Sequence, residues 1–315
     1  MAGLPGVKRV LVTGATGCVG RHVLPRLEAD GWDVHAVASR QAPYEAGRTT
    51  WHQADLLDPA ATAEVVRRAE ASHLLHLAWY IAPGRWAAAP DNLAWVEASL
   101  GLFRRFREAG GTRVVGAGSC LEYDWQYGYC SEARTPTTPH TLYGTCKNAL
   151  RLLADAMSAD DGFTTAWGRI FFLYGPWEHP DRLVPSVIRA LIAGEPARCS
   201  HGRQVRDYLH ADDVADVFVR LLASDVTGPV NVASGQAVAL REIVTRIGER
   251  IGRPDLIRLG AIPPAPTDTP LVVADTTRLA AALDWRPAID LDAGLDRTIA
   301  WWRAHQAAGP ARSGA

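Results

Sequence analysis

The sequence predicts an α/β protein, a doubly wound parallel sheet with a smaller α/β lobe for the substrate. Three observations carry that prediction. Short β-rich apolar runs alternate with longer helical patterns from Arg9 onward. A spaced glycine triplet stands where the first run meets the first helical pattern, and the rhythm gives way to Pro- and Gly-punctuated segments after Arg169. Strands are expected at Arg9–Thr13, Val34–Ala38, Thr50–His52, His73–Leu77, Arg113–Gly116 and Thr164–Arg169, with helices following Gly17, Pro59, Asp91 and Leu142. Beyond Arg169, short helices are expected at Pro185–Ala193, Ala211–Ala223 and Leu240–Ile251, between stretches such as LYGPWEHPDRLVP and GAIPPAPTDTP. The expected organisation is residues 1–172 plus about 205–233 as the dinucleotide-binding domain and 173–204 plus about 234–305 as the substrate lobe. The Ala/Gly/Ser-rich residues 306–315 read as a disordered tail. Open sheets of this kind bind ligands beyond the carboxyl ends of their strands, so the lobe should close over that edge.

A formal net charge of −1 over 315 residues gives no electrostatic reason to expect nucleic acid or an anionic membrane as partner, which leaves small molecules. Met1–Lys8 lacks an apolar signal core, and no run reaches the roughly 18 apolar residues of a membrane span, so a cytoplasmic protein is expected. The five cysteines (Cys18, Cys120, Cys130, Cys146, Cys199) are scattered and lack metal-site spacing, so neither disulfides nor a metal is expected. Cys120 and Cys146 adjoin catalytic candidates but are read as small buried side chains without a role.

The first strand, RVLVT, runs directly into Gly14, Gly17 and Gly20 and then into a helix opened by Cys18 and Val19. In that context Gly14 permits a tight turn, Gly17 lets backbone approach a diphosphate, and Gly20 lets helix and strand pack closely. The helix N-terminus offers free N–H groups to the phosphates, a Rossmann-type dinucleotide site. The second strand ends in Ser39 and Arg40, with no carboxylate to hold ribose hydroxyls, and a guanidinium pairs well with a 2′-phosphate. NADP(H) is therefore expected over NAD(H).

Tyr143 and Lys147 stand four residues apart in a helical run, so both project from one face. An ammonium near the phenol is expected to bring its pKa from about 10 toward neutrality, so that tyrosine serves as an acid or base. Ser119, just past a strand, is placed to hydrogen-bond the same carbonyl oxygen.

The ordered motifs TGATGCVG, HLLHLAW, AGSCLEY, LYGTCK, RIFFLYGP and VRDYLHADDVA resemble the extended short-chain dehydrogenase/reductases, the nucleotide-sugar epimerase/dehydratase family, over nearly the whole chain. The resemblance implies that Tyr143 is the acid–base residue, that Lys147 also holds the nicotinamide ribose, and that Ser119 polarises the substrate oxygen. It sets Asp55 and Leu56 beside the adenine, Leu77, Ala78 and Trp79 along the dinucleotide channel, and Ile170 and Phe171 near the nicotinamide. Arg206 matches the family's diphosphate-binding arginine, and Arg182, near a helix start, is a second candidate. Trp79, Tyr80, Trp125, Tyr127 and Trp177 are candidates for an apolar pocket wall, Tyr80 on the substrate side. Dimerisation through the helices that carry Tyr143 and follow Asp91 is also implied.

Two departures bear on the substrate. Phe172 stands where many relatives carry Asn, and APTDTPLVVAD lacks the arginine often found there. Cys120 and Leu121 follow Ser119 where dehydratases carry an acidic pair, and Glu122 lies one position too far to replace it. The pattern is most similar to ketoreductases acting at carbon 4 of nucleotide-linked 4-keto-6-deoxyhexoses. Reduction of a non-sugar ketone, 4-epimerisation of a nucleotide sugar with bound NAD, and a non-catalytic NADP sensor are the alternatives.

Overall fold

In the computed structural model, which describes residues 8–40, 47–82, 84–158, 163–263 and 269–307, seven strands form one parallel sheet. They are β1 (Arg9–Thr13), β2 (Asp33–Ala38), β3 (Thr50–Gln53), β4 (His73–His76), β5 (Arg113–Ser119), β6 (Thr164–Ile170) and β7 (Gly228–Val232). Their spatial order is β7-β6-β5-β4-β1-β2-β3, so the winding reverses between β1 and β4, where a crevice opens beyond the strand ends.

Helices cover both faces. On one, α1 (Cys18–Ala29) lies against α6 (Ala211–Ala223), burying Val23, Leu24 and Leu27 with Val214, Phe218 and Leu221. On the other, α2 (Pro59–Ala69), α3 (Asp91–Glu108) and α4 (Leu142–Met157) bury Val65, Val66, Leu102, Phe103 and Leu150. A separate core forms where α5 (Leu183–Ile192), α7 (Leu240–Ile251) and α9 (Leu291–Ala307) meet, around Ile188, Leu191, Ile243, Ile247 and Leu295. α8 (Thr277–Leu283) returns to the main sheet beside β7.

Several expected boundaries are corrected. β4 stops at His76 rather than Leu77, and the short helix expected from Pro185 begins at Leu183. β5 continues to Ser119, three residues past the expected Gly116, because Gly116 and Gly118 leave room for Trp167 of the neighbouring strand. A Cβ on either glycine would lie 2.2 Å from that indole. β7 was not expected, since Gly228, Pro229 and Asn231 depress strand propensity; as an edge strand it tolerates the proline. The expected tail is helical through Ala307, and 308–315 lie outside the described residues.

His76, 2% exposed, spans Thr13 (2.8 Å) and Ser99 (2.9 Å) beneath the crevice, and burial, aided by the charge of Lys147, pushes its pKa down to about 3. Burial likewise lowers His52, His73 and His210 to about 4. Each folded value lies below the roughly 6.5 of an unfolded histidine, so the stability these neutral rings confer is complete above that pH. It is lost as pH falls toward 4, at up to about 1.4 kcal/mol per pH unit for His76. A Tm series is expected to drop steeply between pH 6.5 and 4; a Tm unchanged at pH 5 would contradict it.

Candidate active site

The first loop is shaped by what its glycines omit. Gly14 has a φ of 68°, and a Cβ there would stand 2.7 Å from the Leu77–Ala78 peptide. A Cβ on Gly20 would stand 2.3 Å from the Gly14 carbonyl oxygen. Gly17 is the N-cap of α1 and brings no capping side chain, so the first-turn N–H groups at Cys18 and Val19 face outward uncapped. This cradle fits a dinucleotide diphosphate, which backbone donors and a helix N-terminus bind without a side chain in the way. Ser39 and Arg40 are exposed just past β2. Asp55 Oδ1 accepts a hydrogen bond from the Leu57 N–H (2.9 Å), and Leu56 is buried beside it. Leu77, Ala78 and Trp79 follow β4 along the crevice, while Ile170 ends β6 and Phe171 follows it, two strands further along the same half of the sheet.

Ser119 ends β5, directly opposite Ile170. Thr141 caps α4 by accepting from the Gly144 N–H (3.0 Å), and Gly144 packs so tightly on the turn after β5 that a Cβ would lie 2.2 Å from the Leu121 carbonyl oxygen. That contact sets Tyr143 beside Ser119. Lys147, 2% exposed, donates from Nζ to the Ala117 carbonyl (2.8 Å) and sits 3.9 Å above the Trp79 ring. Ser119, Tyr143 and Lys147 are thus brought together as the sequence predicts.

Their electrostatics differ from expectation. Burial pushes Lys147 down to about 7, opposed by Glu122. Burial also pushes the Tyr143 phenol up, opposed first by its hydrogen bond to Ser119. The ammonium engages the Ala117 carbonyl and the Trp79 face rather than the phenol oxygen, so desolvation outweighs the expected lowering. Cys120 and Cys146 are buried and burial raises both thiols, which leaves them unreactive.

The substrate side is aromatic. Trp86 meets the Tyr143 ring edge-to-face at 5.0 Å, and the exposed Arg182 guanidinium lies 5.5 Å from the Trp86 ring, at the mouth of the centre. Arg206 is 4% exposed and sits 5.4 Å from Phe172 and 5.8 Å from Trp125, so the two arginines occupy different surroundings. Tyr80 is half-buried against the core that holds Tyr143. Of the other candidate pocket walls, Tyr127 is exposed, and Trp177 packs on Trp301, His305 and Arg21. Among the described residues no group of three or more His, Cys, Asp or Glu could hold a metal ion. No helix among them is long and apolar enough to cross a membrane.

Residues 10–233 match the NAD dependent epimerase/dehydratase family. The chain belongs to that family. It is 26% identical to a probable UDP-glucuronate 4-epimerase of Rhizobium meliloti (strain 1021), over 94% of this chain and 99% of that one. It is 27% identical to a dTDP-4-dehydro-6-deoxy-D-allose reductase of Streptomyces bikiniensis, over 95% and 97%. Among solved structures it resembles MoeE5 in complex with UDP-glucuronic acid and NAD, at 30% identity with a TM-score of 0.84, covering 94% of this chain and 99% of that one.

Within this epimerase/dehydratase frame, sequence reasoning missed two supports of the centre. Asn92 accepts from the Trp79 indole N–H (2.8 Å) and donates to the Trp86 and Ala89 carbonyls (2.7 and 2.9 Å), tying together the two tryptophans that flank Tyr143. The loop it anchors also receives the Tyr143 N–H at the Ala87 carbonyl (3.1 Å). A polar residue at the second position of a long helix is the one sequence trace of this device, and it is shared by many helices without any such role.

Proposed function

We propose that this chain is an NADPH-dependent ketoreductase of the cytoplasm, acting on the 4-keto group of a nucleoside-diphosphate 4-keto-6-deoxyhexose. The observation that carries the reading is the convergence of Ser119, Tyr143 and Lys147 beside the glycine cradle, at the carboxyl edge of the sheet. When bound, NADPH supplies the hydride to the carbonyl carbon. Tyr143, kept protonated by burial, gives its proton to the carbonyl oxygen, so that hydride and proton together make the alcohol. Ser119 donates a hydrogen bond to that oxygen as charge develops on it, and Lys147 holds the cofactor ribose and carries the adjacent positive charge.

Ser39 and Arg40, with no carboxylate at the end of β2, support NADPH and hence net reduction. Arg182 and Arg206 are the candidate partners of the substrate diphosphate, with Tyr80 and Trp86 bounding its sugar. Five free cysteines fit a reducing compartment. Exposed Leu93 on α3 and Leu152 and Leu153 on α4 support a homodimer through those two helices. A second reading, 4-epimerisation with retained NAD, is favoured by the 30% identity to MoeE5, whose complex holds UDP-glucuronic acid and NAD.

The deciding experiment follows nicotinamide absorbance with a panel of nucleoside-diphosphate 4-keto-6-deoxyhexoses and 4-hydroxyl nucleotide sugars. Stoichiometric NADPH oxidation with one 4-keto sugar is expected, at higher kcat/KM than with NADH. An isomer formed without cofactor loss would establish the epimerase instead. Arg40→Asp is expected to reduce the preference for NADPH by roughly 10-fold or more, the loss of one charge-assisted phosphate contact; unchanged selectivity would remove Arg40 from the cofactor site.

A further inference from the structure

Glu122 is a fully enclosed carboxylate near the reacting centre, at 0% exposure. Its Oε1 accepts from the Ser119 backbone N–H (2.9 Å) and the Trp167 indole N–H (2.8 Å), and its Oε2 accepts from Arg169 Nε (2.7 Å). Ser119 returns the contact, its hydroxyl accepting from the Leu121 N–H (3.2 Å), so the two residues close a reciprocal capping box around one 3₁₀ turn. The strand end is emptied to make room: a Cβ on Gly118 would lie 2.5 Å from the carboxylate. The Arg169 guanidinium in turn stacks 4.4 Å from the Tyr123 ring, and the Tyr123 hydroxyl donates to Asn231 Oδ1 on β7 (2.7 Å).

A buried ion pair is seldom a net source of stability, because desolvating two charges offsets their attraction. Three satisfied contacts directly beneath a reactive hydroxyl, in a strand end cleared of side chains for them, point to a role in the chemistry above. We propose that Glu122 is a positioning residue of this centre: clamped by Arg169 and Trp167, it fixes the strand end that aims the Ser119 hydroxyl. The proposal rests on the reading of Ser119, Tyr143 and Lys147 as the reactive set.

The charged and titratable groups around Glu122 and Lys147 are few. His76 on β4, Tyr143 on the same helix and Glu122 act on or feel Lys147, with the Trp79 face beside it. Arg169, Tyr123, Tyr143 and Cys120 surround Glu122. Among them Glu122 is the carboxylate, and it favours the charged form of Lys147 against the burial that disfavours it.

The test exploits composition. Lys8 and Lys147 are the only lysines in the sequence, so a chain labelled with ¹³C-lysine gives two side-chain signals, separated by a single Lys147→Met control spectrum. Glu122→Gln retains an oxygen for Ser119 and Trp167 and loses the charge. Glu122→Gln/Arg169→Met does the same without stranding a buried guanidinium, which keeps the test valid if the single variant fails to fold. Glu122→Gln is expected to lower the Lys147 titration midpoint by about one pH unit in the cofactor-free protein; the double variant, which also loses the opposing Arg169 charge, reports on positioning through kcat. With substrate, kcat is expected to fall roughly 10- to 100-fold with KM within about twofold. A folded Glu122→Gln variant whose Lys147 midpoint matches wild type, or a folded double variant with wild-type kcat, would overturn the proposal. The midpoint is measured without turnover, so failure of the ketoreductase reading would appear separately, as absent NADPH oxidation in the wild-type chain.

Discussion

Tyr143→Phe is expected to lower kcat for carbonyl reduction by about 10²–10⁴-fold while leaving NADPH affinity within about threefold of wild type. The phenol is enclosed between Ser119, Trp86 and Trp79, and removing its oxygen leaves the aromatic contacts in place. On the proposed reading, what disappears is the proton source for the oxygen that gains charge as hydride arrives. Neither Cys120 nor Cys146 can take over, since burial raises both thiols, and the Glu122 carboxylate is already engaged by three donors. Steady-state rates paired with fluorescence titration of NADPH check the expectation. Retained turnover would show that the proton reaches the oxygen from another group. Lost NADPH binding would instead give Tyr143 a part in holding the cofactor.

Gly20→Ala is expected to weaken NADPH binding by more than about 100-fold, or some 3 kcal/mol, and to lower Tm. The added methyl would stand 2.3 Å from the Gly14 carbonyl oxygen and 2.7 Å from Ala15 backbone, where neither neighbour is a side chain able to swing aside. α1 must lift from β1, which moves the uncapped N–H groups at Cys18 and Val19 away from the diphosphate they are arranged to meet. Thermal melts with and without NADPH separate the two effects: the variant should melt lower alone and gain little from cofactor. A variant with wild-type affinity would show that the helix tolerates the shift and that the diphosphate is held elsewhere.

Much of this arrangement is legible in the sequence because its signals are local. The strand, glycine triplet and helix of the first turn, and the four-residue spacing of Tyr143 and Lys147, are set within a few residues by backbone geometry. The unread features depend on partners far along the chain. Gly116 and Gly118 weaken the strand signal of β5, yet Trp167, about fifty residues later, requires them. Gly294 similarly weakens α9, which was not expected as a helix; a Cβ there would lie 2.1 Å from the Tyr174 hydroxyl. Glu122 reads in sequence as a carboxylate one position too far from Ser119 for dehydration, and only Arg169 and Trp167 of the adjacent strand show what holds it. The direction of the Tyr143 shift was misjudged for a related reason, since spacing reports which groups share a helix face and says nothing of how completely the neighbouring aromatic rings exclude water.

The bare glycine end of β5 has an evolutionary side. Because Trp167 fills the space that side chains at 116 and 118 would take, β5 and β6 form one complementary unit, and neither can be exchanged alone. A relative's β5 with bulkier residues would collide with the indole, and a relative's β6 with a smaller residue would leave a void beside Gly116 and Gly118. Recombination among such sequences should therefore inherit both strands as a block, with crossover points surviving before Arg113 or after Ile170 more readily than between them.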